Sequence, residues 1–210
     1  TVTPTAEWQI LGHPAARPNG RDIVTGAHKY PADLALPGML YGKILRPPAY
    51  HDNLDDIDVA AAQAIPGVVV VRDGSFVGVA APNSWTATKA INAIGSTAKW
   101  SGGSGPSSKG FADQLRANAQ GGVPKNPFAD NVNKLYSAGY SVAYAQHAPM
   151  EPRAAVAQWE DGKLTIWTST QMPHMVRRLV ADHLGRDERS VRVIAPDVGG
   201  GFGPKANVYP

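Results

Sequence analysis

The first twenty residues show no apolar periodicity. They are polar and dotted with Pro4, Pro14 and Pro18, the pattern of an extended arm. From Asp22 onward the apolar positions fall into order. Residues 39–45 predict a strand, which Pro47-Pro48 stops because two missing N–H groups break a ladder. Residues 59–64 predict a short helix ahead of Pro66-Gly67. Residues 68–71 and 76–80 are β-rich runs on either side of Asp73-Gly74, where glycine accepts the positive φ of a tight hairpin turn. Ser84 is the predicted N-cap of a helix whose apolar positions Ala87, Ala90, Ile91 and Ile94 keep the 3.6-residue period. Trp100 closes this first block.

Residues 101–133 differ in composition. The run from Gly102 to Ser108 is glycine and serine with one proline, and Gly121-Gly122, Pro124 and Pro127 follow, so the stretch predicts a flexible connection over a surface. A second compact block starts near Leu135. Residues 153–159 and 163–168 predict another hairpin around Asp161-Gly162. Met172, Met175, Val176, Leu179, Val180, His183 and Leu184 form a helical stripe, with Pro173 in the first turn and Gly185 just past the end. Residues 191–195 predict a strand, and 199–203 a glycine loop. The expected fold is α+β without internal repeats: an arm over 1–19, a domain over 20–100, a linker over 101–133 and a second domain over 134–210.

Composition changes this picture chiefly by exclusion. Of the 210 residues 43% are hydrophobic, which supports a packed core and rules out wholesale disorder. The net charge of +3 comes without any Lys/Arg-rich run, so no nucleic-acid partner is expected. Apolar runs such as residues 67–71 are far short of the ~20 residues of a membrane span. No cysteine is present, which excludes disulfides, thiolate zinc sites, protein-held iron–sulfur clusters and a cysteine nucleophile within this chain. The compartment cannot be read from thiol usage. Thr1 in place of Met and a chain end at Pro210 predict a start that is processed, trimmed or not the gene start, and a shortened second domain.

Several familiar motifs fail. The glycine run over 102–110 lacks the Gly-Lys-Ser/Thr ending of a phosphate loop, and Ser104 is followed by Pro106 where a nucleophile elbow needs glycine. No His-Glu-x-x-His occurs. His183 with Asp187 and Glu188 has the residue types of a metal site, but its place on the apolar stripe favours a core or boundary histidine beside a solvated turn. Two stretches carry more. Gly199-Gly200-Gly201-Phe202-Gly203 follows a predicted strand, and consecutive glycines let a backbone aim several N–H groups into one concavity suited to oxo or phosphate oxygens. Gln146-His147-Ala148-Pro149-Met150-Glu151-Pro152 is pinned by two prolines, and read singly it is a rigid lead-in to the hairpin with His147 and Glu151 bonded locally.

The order of these stretches is more specific than any one of them. His-Ala-Pro-Met-Glu-Pro, the Asp-Gly hairpin, Thr168-Ser169-Thr170-Gln171, the striped helix and Gly-Gly-Gly-Phe-Gly-Pro-Lys205 together resemble the molybdopterin-binding large subunit of the xanthine dehydrogenase/aldehyde oxidase family, the molybdenum hydroxylases. Gly20-Arg21-Asp22-Ile23-Val24-Thr25-Gly26, Leu36-Pro37-Gly38-Met39-Leu40-Tyr41, Leu45-Arg46-Pro47-Pro48 and Pro66-Gly67-Val68 resemble the α/β hammerhead domain that precedes it. The resemblance covers about residues 20–100 and 135–210.

The resemblance implies a hammerhead domain followed by the start of a cofactor-binding α+β domain. It implies molybdopterin, as such or as its cytosine dinucleotide, with the metal held by dithiolene sulfurs of the pterin rather than by protein ligands. By motif match Gly200, Gly201, Phe202 and Gly203 would line the molybdenum end. The implied reaction is oxidative hydroxylation of an aldehyde or N-heterocycle with oxygen from water, the electrons passing to 2Fe-2S clusters on a partner subunit. Further implied partners are the remainder of the molybdopterin subunit and a flavin or cytochrome c subunit. The general-base glutamate of the family is expected outside residues 1–210, so no catalytic residue is assigned. Two departures stand out: Ala145 occupies a position where many members carry Gln, and Pro204-Lys205-Ala206 replaces the Gly-Lys-Glu of xanthine-type members. The look is closer to the bacterial isoquinoline, nicotinate and aldehyde-oxidising branches. The alternative is a non-catalytic fragment or subunit-docking module that binds no cofactor by itself.

Overall fold

A computed structural model describes residues 2–49, 51–102, 105, 107–125, 134, 136, 138–143 and 145–208. Gly103, Ser104, Pro106, residues 126–133, Leu135 and Pro210 lie outside the described residues. In chain order the elements are α1 (Gly20–Thr25), β1 (Tyr41–Ile44), β2 (Asn53–Asp56), α2 (Ala60–Gln63), β3 (Val69–Asp73), β4 (Phe76–Ala81) and α3 (Ser84–Gly95). There follow β5 (Lys99–Ser101), α4 (Phe111–Ala117), β6 (Ala155–Glu160), β7 (Lys163–Thr168), α5 (Pro173–His183) and β8 (Val191–Ile194). The chain divides into two compact units, residues 36–141 and residues 1–35 with 142–210. Residues 20–35 thus group with the C-terminal block rather than with the strands that follow them.

In the unit of residues 36–141, β4 is the centre of a three-stranded antiparallel sheet with β1 and β3 as its edges. The Asp73-Gly74 hairpin forms as its turn chemistry requires, with Asp73 opposite Phe76 and Gly74 at φ +57°. Alternation along β4 puts Val77, Val79 and Ala81 on the face covered by α3, whose Ala87, Ala90 and Ile94 are fully buried against them. Alanines on the helix let its backbone lie close to the sheet. The N-cap of α3 is Asn83, one residue ahead of the expected Ser84: its side-chain oxygen accepts the Thr86 N–H at 2.8 Å. The short pair β2–β5 carries the exposed Lys99–Asp56 ion pair at 2.8 Å. This pair holds the Asp56 carboxyl below its ordinary value of 3.8 and the Lys99 ammonium above its ordinary 10.5.

The unit of residues 1–35 and 142–210 is built on the sheet β6–β7–β8. β6 and β7 form the expected antiparallel hairpin, while β8 lies parallel to β7 and is reached through α5. α5 packs Ala181, with Val180 beside it, against the buried Leu164, Ile166 and Val191 of the sheet, and its Val176 is buried as well. The predicted stripe is broader than the surface a three-stranded sheet covers. Leu179, His183 and Leu184 on its flank are exposed, so His183 is no core residue. Among the described residues, no helix is long and apolar enough to cross a membrane.

Candidate functional site

Strand direction gathers the two stretches singled out in the sequence. Because β7 and β8 are parallel and β6 runs against them, the chain entering β6, leaving β7 and leaving β8 meets at one end of the sheet: Ala155 pairs Thr168, and Trp167 pairs Ile194. The carboxyl ends of parallel strands, where connections diverge, are the usual ligand end of such sheets. Here that end receives residues 147–153, residues 169–171 and the loop 195–205.

The loop is tied down from both sides. Gly199 N–H donates to Glu151 Oε2 at 2.8 Å and the Glu151 N–H donates to Gly199 O at 3.3 Å. The Lys205 ammonium reaches the same Glu151 Oε2 at 2.7 Å, and the two side chains keep 0% and 9% of their accessible surface. Lys205 O accepts the Gln171 N–H at 2.9 Å and the Thr170 hydroxyl at 3.3 Å. The Arg153 guanidinium donates to Pro204 O, and Gly203 N–H donates to Gln171 Oε1 at 3.0 Å. Ahead of the loop, the Asn19 amide donates to Asp197 at 2.7 Å, and His28 Nε2 lies 3.3 Å from the same carboxylate, off hydrogen-bond geometry.

Gly200, Gly201, Phe202 and Gly203, the expected cofactor-lining residues, form the turn of this loop. Gly200, Phe202 and Gly203 have φ of +97°, +54° and +114°, a succession that curls the backbone. Among the described residues, the N–H groups of Gly200, Gly201 and Phe202 meet no acceptor. These donors lie on half-exposed and exposed backbone, where they are open to water or to a ligand. A Cβ at Gly201 would stand 2.6 Å from Gln171 Oε1, so any other residue there displaces the Gln171 side chain.

Other expectations fare differently. Glu151 is bonded across 48 and 54 residues of sequence rather than locally. Gln171 and Lys205 belong to the quoted motifs, yet their part in shaping the loop was not read from them. The His183, Asp187 and Glu188 group does not assemble: Asp187 caps the turn by accepting the Arg189 N–H, and Glu188 pairs with Arg177 at 2.7 Å. Among the described residues, no group of three or more His, Cys, Asp or Glu could hold a metal ion. The cavity of about 400 Å³ beside α5 and β8, lined in part by His174, Arg177 and Arg192, touches the loop at Ala195 and includes none of the residues 199–205.

Residues 110–210 match the family described as a molybdopterin cofactor-binding domain, so the loop just described lies within the matched region. The whole chain also aligns with molybdenum-binding subunits. It is 29% identical to the nicotine 6-hydroxylase large subunit of Paenarthrobacter nicotinovorans, over 99% of this chain and 32% of that one. Along nearly its whole length the chain is similar to molybdenum hydroxylase subunits. A nicotinate dehydrogenase subunit of Pseudomonas putida is a further relative, 30% identical over 94% of this chain and 18% of its own length. Among solved structures, quinoline 2-oxidoreductase from Pseudomonas putida superposes with a TM-score of 0.73 at 28% identity, covering 91% of this chain and 31% of that one. The chain therefore spans about a fifth to a third of the length of the molybdenum hydroxylase subunits it matches.

Proposed function

We propose that this chain is the N-terminal part of the molybdopterin-binding subunit of a molybdenum hydroxylase. The reaction is R–H + H2O → R–OH + 2 H⁺ + 2 e⁻, with R–H an aldehyde or an N-heterocycle and the electrons leaving to 2Fe-2S clusters on a partner subunit. The observation that carries this reading is the turn Gly200–Gly203, with three unpaired N–H groups, inside a region that matches the cofactor-binding family. On this reading residues 20–100 are the α/β hammerhead domain and 134–210 the beginning of the cofactor-binding domain. Partners are the iron–sulfur subunit, the rest of the molybdopterin subunit and a flavin or cytochrome c subunit.

The residues fit the cofactor. The curled loop offers backbone donors without side-chain bulk, as an anionic pterin–metal group requires. The resemblance assigns the metal's soft ligands to the pterin, in the molybdopterin or cytosine dinucleotide form. When bound, the cofactor supplies a metal that accepts two electrons. The part of this chain is binding and orientation: Gly200, Gly201 and Phe202 present their N–H groups, and Gln171 fixes Gly203 through its side-chain oxygen. The general-base glutamate is assigned outside residues 1–210. Ala206 offers no carboxylate next to the loop, which favours pyridine-type heterocycles or aldehydes over purines as substrates.

The test is turnover of nicotinate, quinoline and benzaldehyde by the natively purified assembly in H2¹⁸O with a dye as electron acceptor. The reading expects one of these substrates to gain a labelled oxygen with dye reduction. Product oxygen drawn from O2, or no hydroxylation of any member of a wider panel of both classes, contradicts it.

A further inference from the structure

We propose that Glu151 and Lys205 are positioning residues: their buried ion pair sets the curvature of the 199–205 loop and thereby the placement of its N–H donors. The proposal rests on the reading of that loop as the cofactor site. One carboxylate oxygen, Glu151 Oε2, holds both ends of the loop, accepting the Gly199 N–H at 2.8 Å and the Lys205 ammonium at 2.7 Å. The contact at the first end is as close as a backbone allows, since a Cβ at Gly199 would stand 2.7 Å from Glu151 Cβ. Lys205 is itself anchored through its carbonyl by Gln171 and Thr170, so its side chain spans between the end of β7 and Glu151.

Stability does not explain this pair. Lys205 is 2% exposed, and among the described residues Glu151 Oε1 is buried without a hydrogen-bond partner. Desolvating two charges costs about what their attraction returns, and apolar or neutral replacements of such pairs are often neutral or stabilising. The two charges give geometry instead. A carboxylate held between an ammonium and a backbone N–H has little freedom to slide, and the loop between its two anchors is left a single span. Glu151 directly precedes Pro152, which biases its backbone to extended conformations, and Lys205 follows the fixed φ of Pro204.

The experiment uses the intact subunit in its native assembly, with Glu151→Gln, Lys205→Met and the double variant carrying both. Each single variant leaves one buried charge unmatched and is expected to lower the thermal transition; the double variant removes both charges and recovers it. In the double variant, positioning predicts at least tenfold faster amide exchange across residues 199–206 of the cofactor-free form. It also predicts molybdenum content reduced by at least half, and an altered electron paramagnetic resonance signal from the metal that remains after partial reduction. Exchange across 199–206 matching wild type in the double variant overturns the proposal. Faster exchange with full molybdenum content and an unchanged signal overturns the link from the pair to the cofactor. Absence of molybdenum from the wild-type assembly refutes the cofactor reading itself, and the exchange comparison still decides whether the pair shapes the loop.

Discussion

Gly201→Ala perturbs the loop at a point where the consequence can be worked through. The added Cβ would stand 2.6, 2.8 and 3.0 Å from Oε1, Cδ and Cγ of Gln171, so the Gln171 side chain has to rotate away. Rotation breaks the 3.0 Å bond that Gly203 N–H donates to Gln171 Oε1. A neutral hydrogen bond of this kind contributes about 1 kcal/mol net, which corresponds to roughly fivefold in a local opening equilibrium. Native-state exchange of the Gly203 amide in the cofactor-free subunit reads that opening directly. The reasoning predicts about fivefold faster Gly203 exchange in Gly201→Ala. In a Gln171→Ala background the bond is already absent and the new methyl has room, so the same substitution should add less than about twofold. Equal acceleration in both backgrounds, or none in either, refutes the account of why residue 201 is glycine.

Asn83→Ala should cost about 1 kcal/mol in equilibrium unfolding while Ser84→Ala stays within about 0.5 kcal/mol, because Asn83 holds the Thr86 N–H. Ile94→Ala empties a fully buried position between α3 and β4 and should lower stability by about 2–5 kcal/mol, seen as a reduced urea midpoint at unchanged slope. The Asp56 carboxyl should titrate below 3.8 by NMR and return toward it in Lys99→Met or in molar salt. Its folded-state value is lowered, so the small favourable effect is present above pH 3.8 and fades as pH falls through the lowered value.

Elements with strong periodicity or turn chemistry were legible in the sequence. The β3–β4 and β6–β7 hairpins follow from Asp-Gly turns between β-rich runs, and α3 and α5 follow from their apolar spacing. The short β2 and β5 strands were not, because Asn53–Asp56 and Lys99–Ser101 have no apolar alternation and exist through their pairing with each other. The helix Phe111–Ala117 falls inside a stretch read as a connection, since glycine and proline around it dominate the composition. At the site, the loop itself was visible in its consecutive glycines. Its supports were not: the Glu151–Lys205 pair spans 54 residues, and it forms because β8 runs parallel to β7 and antiparallel β6 starts at that end, which brings the exit from β8 beside the entry to β6. Spacing along a chain carries no information about such a meeting.

The most direct test of the central claim is elemental analysis of molybdenum and iron on the natively purified assembly, alongside denaturing mass spectrometry of its chains and the Gly201→Val variant. The account predicts molybdenum together with iron in the wild-type assembly, additional chains beside this one, and loss of molybdenum in the variant with a nearly unchanged thermal transition. Neither metal in the wild type, or full molybdenum content in Gly201→Val, would contradict the assignment of the 200–203 loop to a molybdenum cofactor.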